Sequence, residues 1–346
     1  MKIIINGFGE TLGVEKDSFA IKTNGETIKR IPFYKTNEIM ITSKNLVSVD
    51  ALLWASLYNV DVVFCMHNGK PLAFLHPIND KANVKTRINQ LKAYESRKGV
   101  ELAKAILTQK IENENKLLKH YNLKTYETNP KLPKIEQIQK INAERITQNL
   151  RLKLQTMEER FSRHLYAKVF PLFPKWLRTD KRIHRNATEP LNNLLNLSFK
   201  ILEWKMMKAV IKAKMEPYLG YIHSIQHAKP SLVLDLIEPF RTYIIHFLIQ
   251  YSKTLKQKDF QRVYIPNQYP RYFLKHETTW KLIESLNKHL FEAYIPIQRN
   301  RKHGFRMKFE TFLDEYASSI ASYLNTPNTS PPNPQHPPLN PFHLNA

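Results

Sequence analysis

The chain has 346 residues, a hydrophobic fraction of 42% and a formal net charge of +23. Its single cysteine, Cys65, excludes a disulfide framework and any zinc site built on paired cysteines. The sequence contains neither a glycine-rich phosphate-loop motif nor an apolar run of membrane-spanning length, and we predict a cytoplasmic protein.

The positive charge is confined to one part of the chain. Residues 1–80 carry equal numbers of acidic and basic side chains, so the whole excess lies in residues 81–346. Such an excess of Lys and Arg indicates a polyanionic partner, because contacts to phosphates supply most of the non-specific affinity for nucleic acid. Nucleic acid is the leading candidate, and an anionic membrane surface is the alternative.

Residues 1–80 are predicted to form a β-rich domain. Short apolar runs alternate with turn signals, among them three Asn-Gly pairs that tolerate positive φ. Strands are expected at Ile3–Ile5, Thr11–Val14, Phe19–Lys22, Thr27–Ile31, Ile39–Thr42, Val62–Met66 and Leu72–His76. A helix is expected over Val47–Tyr58, with Ala51 and Trp54 on its apolar face and Ser48 at its start.

Residues 81–324 are predicted to form a helical domain, because apolar side chains recur there at spacings of three and four. The helices are expected over Lys81–Tyr121, Ile135–Phe170, Leu191–Met215, Ser231–Ser252, Thr278–Ala293 and Met307–Leu324. Ser231 is a suitable N-cap for the fourth helix, and Pro239 is expected to kink it. The fold class is therefore α+β with two domains.

Residues 325–346 contain seven prolines and no Asp, Glu, Lys or Arg. Such a segment cannot bury enough apolar surface to fold alone, so a disordered tail is predicted.

Two isolated positions in the helical part carry residues suited to acid, base or metal chemistry. Glu159 shares a helix face with Ser162, Arg163 and Tyr166, although a solvated charged face would look the same. His223 follows a helix stop, where a surface or capping histidine is the alternative.

Asp235 and Glu238 form a third candidate position. Their spacing of three places both carboxylates on one face of an otherwise apolar helix. Buried carboxylates need a metal or a cationic partner, and Arg241 offers the second. A structural ion network is therefore the alternative to a catalytic site.

Taken together, Glu159, His223 and Glu238 supply a mixed set of oxygen and nitrogen ligands. Such a set suits Mg²⁺ or Mn²⁺. A hard cation beside a basic surface points to phosphodiester chemistry. Spacing along the chain cannot show whether these side chains converge.

Five segments carry a resemblance to a known family. Gly220–His223, Lys229–Leu232 and Asp235–Arg241 together resemble the signature of the CRISPR-associated spacer-acquisition integrases, the "Cas one" family. Glu189–Leu195 is similar to the Asp-Pro-x-Asn-x-Leu-Leu helix start of that family, and Lys110–Asn113 is similar to its Lys-Ile-x-Asn segment.

The resemblance extends over roughly residues 1–324 and also includes the helix of the catalytic glutamate. Glu159, with Tyr166 seven residues later, fits that helix. Glu158 directly precedes it, and the sequence leaves open which of the two glutamates is the ligand.

The resemblance implies a β-sandwich-like N-terminal dimerisation domain joined to an all-helical catalytic domain. It implies an asymmetric homodimer that assembles with the small "Cas two" protein. It also implies metal-dependent cleavage and joining of DNA without ATP, in which the 3′-hydroxyl of a short fragment attacks repeat DNA. By position, Glu159, His223 and Glu238 would be the metal ligands, and Asp235 an accessory catalytic acid.

Basic side chains would then hold the double-stranded DNA fragments and the repeat DNA. The candidates for this role are Arg87, Arg163, Lys229 and Arg241. Two alternatives stay open, namely a stand-alone metal-dependent nuclease for branched DNA and a non-catalytic DNA-binding scaffold.

Overall fold

The computed structural model describes residues 1–42, 44–67, 69–75, 84–130, 132–264, 269–297 and 305–332. The described chain divides into two compact units. One unit holds the N-terminal strands together with Lys275–Lys281, and the other holds the remaining described residues from Val84 onward. The predicted domain boundary at residue 80 falls among residues 76–83, outside the described residues.

The N-terminal unit contains two four-stranded sheets. Its elements are β1 (Lys2–Ile5), β2 (Glu10–Glu15), β3 (Ser18–Thr23), β4 (Glu26–Pro32), β5 (Glu38–Thr42), β6 (Leu46–Val47), α1 (Val49–Leu57), β7 (Asp61–Cys65) and β8 (Pro71–Leu75). The first sheet has the order β1-β5-β7-β8, with only β8 antiparallel to its neighbour. The second has the order β4-β3-β2-β6 and is antiparallel except for the β2–β6 pair.

Both sheets contribute to one apolar core, which gives a β-sandwich-like unit. Ile3, Phe19 and Val62 are members of that core. The strand predictions are confirmed within the described residues, while His76, the end of the last predicted strand, lies outside them. The two-residue strand β6 was too short to be predicted. In α1 the Ser48 side chain accepts a hydrogen bond from the Ala51 N–H at 3.2 Å, as expected of an N-cap.

The remaining α-helices are shorter than predicted, but the helix predicted over Thr278–Ala293 continues beyond its α-helical part as a π-helix, Asn287–Phe291. They are α2 (Val84–Tyr94), α3 (Arg97–His120), α4 (Ile135–Gln139), α5 (Gln148–Val169), α6 (Pro190–Lys212), α7 (Ser231–Ile237), α8 (Arg241–Tyr251), α9 (His276–Leu286) and α10 (Phe309–Asn325). Turns divide the first predicted helix into α2 and α3, and the second into α4 and α5.

Two antiparallel ribbons that the sequence did not predict add to the helical unit. They pair β9 (Phe260–Val263) with β10 (Arg271–Leu274) and β11 (Tyr294–Ile297) with β12 (Phe305–Lys308).

The expected interruption at Pro239 is confirmed. A 3₁₀ turn, Glu238–Phe240, separates α7 from α8, because proline lacks the N–H that would continue the α-helical hydrogen bonds. Ser231 is not the N-cap of α7; its hydroxyl instead donates to the Ser224 carbonyl at 2.7 Å. The interruption places Glu238 at the start of the turn, where its side chain is buried.

The first residues of the predicted tail are described. The Pro332 carbonyl accepts a hydrogen bond from the Gln109 side chain at 2.8 Å. Residues 333–346, on which the rest of the tail prediction falls, lie outside the described residues. Within the described ranges, no helix has the length and apolar character needed to cross a bilayer.

Candidate active site

The loop that precedes α7 is held close to that helix. A Cβ atom on Gly220 would lie 2.6 Å from the Ser231 carbonyl carbon, so only glycine permits this approach. From the other side, the Gln155 amide on α5 donates to the Ile222 carbonyl at 2.8 Å. These contacts fix the backbone that carries His223.

Asp235, fully buried on α7, accepts the hydrogen bonds of this loop. Its Oδ2 accepts from the backbone N–H groups of Tyr221 at 2.5 Å and Ile222 at 2.9 Å. Its Oδ1 accepts from the backbone N–H of His223 at 2.9 Å and from Nδ1 of that ring at 2.7 Å. Because a carboxylate can only accept, Nδ1 carries the hydrogen of this contact, and Nε2 is the ring nitrogen that remains for a ligand.

A buried lysine from α3 joins acids from three segments of the chain. The Lys110 Nζ lies 2.7 Å from Glu238 Oε2 and 3.7 Å from Glu114 Oε1, and it is ion-paired with Glu158. It also donates to the Ser162 hydroxyl at 2.8 Å. We call Lys110, Glu114, Glu158 and Glu238 the Lys110 cluster.

Charge pairing outweighs burial for two members of the cluster. Burial acts to lower the pKa of Lys110, but the Glu158, Glu238 and Glu114 carboxylates raise it well above its usual range. Burial acts to raise the pKa of Glu238, but Arg241, Lys110 and His223 lower it to about 2. Lys110 therefore stays cationic and Glu238 anionic near neutral pH.

Arg241 gives Glu238 a second cationic partner, as its spacing predicted. The Arg241 Nε lies 3.0 Å from Glu238 Oε1, and the guanidinium lies 4.9 Å from the centre of the Phe199 ring. The carboxylate of Glu238 is thus held between Lys110 and Arg241.

Glu114 behaves differently from Glu238. Burial raises the pKa of its carboxyl to about 7, although Lys110 and a hydrogen bond from the Tyr126 hydroxyl act to lower it. An acid whose pKa is higher in the folded than in the unfolded state binds more protons when folded. Its contribution to stability therefore falls as pH rises from about 4.5 to about 7.

Glu114→Gln should remove this part of the pH dependence. In the presence of a chelator, the free energy of unfolding of the parent protein is expected to fall between pH 4.5 and 7.5 by at most roughly 3 kcal/mol more than that of the variant. Thermal unfolding of both proteins at closely spaced pH values measures the difference. Parallel curves would show that Glu114 does not titrate in this window.

The structure brings His223, Asp235 and Glu238 into one region, but it places Glu158, not Glu159, in the Lys110 cluster. Glu159 is exposed, and no hydrogen bond or ion pair joins it to the cluster within the part of the chain that the structure describes. The Ser162 hydroxyl donates to Glu158 Oε1 at 2.7 Å. The predicted ligand role of Glu159 stays a prediction without support from its position.

Two members of the cluster continue apolar stripes that the sequence displays. Lys110 follows Ile106 at a spacing of four on α3, and Glu158 follows Leu154 at the same spacing on α5. A charged side chain at a position that continues an apolar stripe is the sequence pattern that indicates burial at both positions.

The candidate DNA-binding residues occupy different surroundings. Arg87 and Arg163 are exposed, and Lys229 is half-buried, which lowers the pKa of its ammonium. Arg241 is engaged with Glu238. The role of all four in binding DNA stays a prediction.

The donor atoms fit a hard divalent cation in their chemistry. Glu158 and Glu238 supply carboxylate oxygens, and His223 supplies Nε2 on a ring oriented by Asp235. Among the described residues, no group of three His, Cys, Asp or Glu side chains is already arranged as a metal cage. The Lys110 ammonium instead lies between the Glu158 and Glu238 carboxylates and is their shared cationic partner.

The chain is similar to known proteins in family, sequence and fold. The profile of the family described as "CRISPR associated protein Cas1" matches residues 3–288. A "CRISPR-associated endonuclease Cas1" from Korarchaeum cryptofilum is 25% identical over 339 residues, covering 93% of this chain and 94% of the relative. A "CRISPR-associated endonuclease Cas1 1" from Archaeoglobus fulgidus is 28% identical over 264 residues, covering 71% and 76%.

Solved structures with the same fold cover 94% of this chain. A CAS1 protein from Thermotoga maritima has a TM-score of 0.75 at 15% identity, over 97% of its own chain. A "Casposase bound to integration product" has a TM-score of 0.73 at 20% identity, over 90% of its chain. A chain of a "Cas6-RT-Cas1--Cas2 complex" has a TM-score of 0.68 at 16% identity, with 35% of that chain covered.

Proposed function

The chain belongs to the Cas1 family of CRISPR-associated proteins, and from that premise we propose that it is a DNA endonuclease and integrase of spacer acquisition. The observation that carries the proposal is the meeting of Glu158, Glu238 and the His223–Asp235 pair in one charged region that is only partly open to solvent. The endonuclease names of the curated relatives and the casposase with its integration product support it.

In the proposed reaction, the 3′-hydroxyl of a short DNA fragment attacks a phosphodiester of repeat DNA in line. One P–O bond forms while another breaks, so the number of phosphodiester bonds is unchanged and no ATP is consumed. With water in place of the hydroxyl, the same site would cut DNA.

We further propose that Glu158, Glu238 and His223 hold Mg²⁺ or Mn²⁺, with Glu158 taking the role that the sequence suggested for Glu159. A bound ion of this kind acidifies the attacking hydroxyl and offsets charge that develops on the phosphoryl group. Asp235 orients the His223 ring and keeps the hydrogen on its Nδ1 atom, so it acts as a positioning residue.

The proposed partners are double-stranded DNA, a second copy of the chain and Cas2. The net charge of +23 favours DNA, with Arg87, Arg163, Lys229 and Arg241 as candidate contacts. Helix α1 leaves the apolar side chains of Val49, Leu53 and Leu57 exposed in the N-terminal unit, which favours a homodimer there. The Cas1–Cas2 assembly among the structural neighbours supports Cas2.

A gel assay of fragment insertion into supercoiled plasmid tests the proposal. Labelled double-stranded fragments should become covalently attached to the plasmid in Mg²⁺ or Mn²⁺ and not in chelator, with Cas2 added or omitted. Electrostatic stabilisation of the transition state makes a metal effect of at least about 10²-fold reasonable.

The other outcomes separate the alternatives. Cutting of branched DNA without attachment of the fragment would favour a stand-alone nuclease. DNA binding without cutting or joining, in the presence of either metal, would leave a scaffold whose carboxylates form a structural ion network.

A further inference from the structure

Lys110 occupies the position where the proposed metal site needs positive charge. Its Nζ contacts both Glu158 and Glu238, the two carboxylates assigned to the metal. The residue is only 1% exposed, so this is a buried bridge and not a loose surface pair. Buried carboxylates without a cationic partner are strongly unfavourable, and Lys110 removes that cost in the metal-free protein.

An ammonium and a divalent ion compete for these oxygens. Mg²⁺ and Mn²⁺ bind carboxylate oxygen at short distances and with near-octahedral geometry. The Nζ of Lys110 lies at hydrogen-bond distance from Glu238 Oε2, and it is also ion-paired with Glu158. Both cations cannot use the same lone pairs, and their charges repel each other at short range.

The carboxylate of Glu114 lies within reach of a small movement of the Lys110 ammonium. It lies one turn after Lys110 on α3, and its Oε1 is 3.7 Å from Nζ. The Tyr126 hydroxyl hydrogen-bonds its other oxygen and fixes the carboxyl in place. A shift of about 1 Å would turn this loose contact into a hydrogen-bonded ion pair.

We propose that Lys110 is a built-in counter-cation that holds Glu158 and Glu238 together in the metal-free protein and moves to Glu114 when a divalent ion enters. The inference rests on the proposed function, since it takes these two carboxylates as metal ligands. Lys110 is then a positioning residue that preserves the site before metal binds and sets how tightly the metal is held.

The first test measures Mn²⁺ binding to the full chain without DNA, from the electron paramagnetic resonance signal of free Mn²⁺. Lys110→Met keeps the length of the side chain and removes its charge. It is expected to bind Mn²⁺ about tenfold more tightly than the parent, within the range of coupling between competing ligands. Its thermal midpoint should also rise more on addition of saturating Mn²⁺.

Lys104→Met is the matched control. Lys104 lies on the same helix and pairs with Glu101 at 3.0 Å, away from the cluster. Its replacement removes one positive charge from α3 and should leave Mn²⁺ affinity unchanged.

A double-mutant cycle separates a moving lysine from a general electrostatic effect. Glu114→Gln removes the destination of the ammonium, so it should weaken Mn²⁺ binding in the parent. In the Lys110→Met background it should have little further effect, because no ammonium needs the second carboxylate. General electrostatics would weaken binding by the same factor in both backgrounds.

Each possible result either supports or overturns the inference. Unchanged or weaker Mn²⁺ binding by Lys110→Met, or equal effects of Glu114→Gln in both backgrounds, overturns the Lys110 inference and leaves the proposed function standing. A parent protein that binds no Mn²⁺ refutes the proposed metal site as well. If Lys110→Met does not fold without metal, the same cycle is measured with Lys110→Gln, which also removes the charge. In either case, unchanged Mn²⁺ binding by Glu114→Gln in the parent ends the inference.

Discussion

Glu158→Ala is expected to lower the rate of DNA strand joining by about 10²-fold or more, whereas Glu159→Ala should leave it within about twofold of the parent. Glu158 contacts Lys110 and Ser162 inside the buried cluster, while its neighbour is exposed. The two variants remove the same chemical group from adjacent positions of one helix, which makes each the control for the other.

The rates are measured under identical metal and DNA concentrations with the plasmid insertion assay. Circular dichroism of both variants checks that α5 remains folded. A larger loss for Glu159→Ala than for Glu158→Ala would return the ligand role to Glu159 and would mean that α5 is rotated in the active complex.

Asp235→Asn is expected to lower both stability and activity. The new amide nitrogen cannot accept a hydrogen bond, so two donors of the loop lose their partner, and each buried unsatisfied group costs about 1–3 kcal/mol. The total loss should be roughly 2–6 kcal/mol on this basis. Joining activity should fall by about 10- to 100-fold, since the His223 ring loses the group that orients it.

Thermal unfolding and strand joining well below the unfolding temperature measure the two effects separately. Asp314→Asn provides the control, because Asp314 is on the surface and pairs with Lys212 at 3.5 Å. Surface pairs of this kind contribute about 0–1 kcal/mol. An Asp235→Asn protein as stable as this control would show that the hydrogen bonds to the Tyr221–His223 backbone are dispensable.

The N-terminal strands could be predicted because alternating apolar residues and Asn-Gly turns are local properties of the sequence. The division between α2 and α3 could not, because the turn at Glu95 and Ser96 contains neither proline nor glycine. Pro239, in contrast, identified the break between α7 and α8 because a missing N–H acts wherever the residue stands.

The sequence could predict which segments form the candidate site, but not the contacts between their side chains. His223, Asp235 and Glu238 were identified because they lie within sixteen residues of one another. Glu158 and Glu159 differ by about 100° around the helix axis, and the sequence alone did not decide which one faces inward. Lys110 was identified only as part of a family-like segment, and its contacts to Glu158 and Glu238 could not be predicted, because these partners are 48 and 128 residues away along the chain.

That separation has a consequence during synthesis on the ribosome. The Lys110 contacts to Glu158 and Glu238 span 48 and 128 residues, so the last acid is added long after the first helix of the cluster. A nascent chain that ends before Glu238 cannot form the complete Lys110 cluster, even if its other segments have already folded. Under the proposed function, an unfinished polypeptide would therefore lack the residues needed to cut DNA.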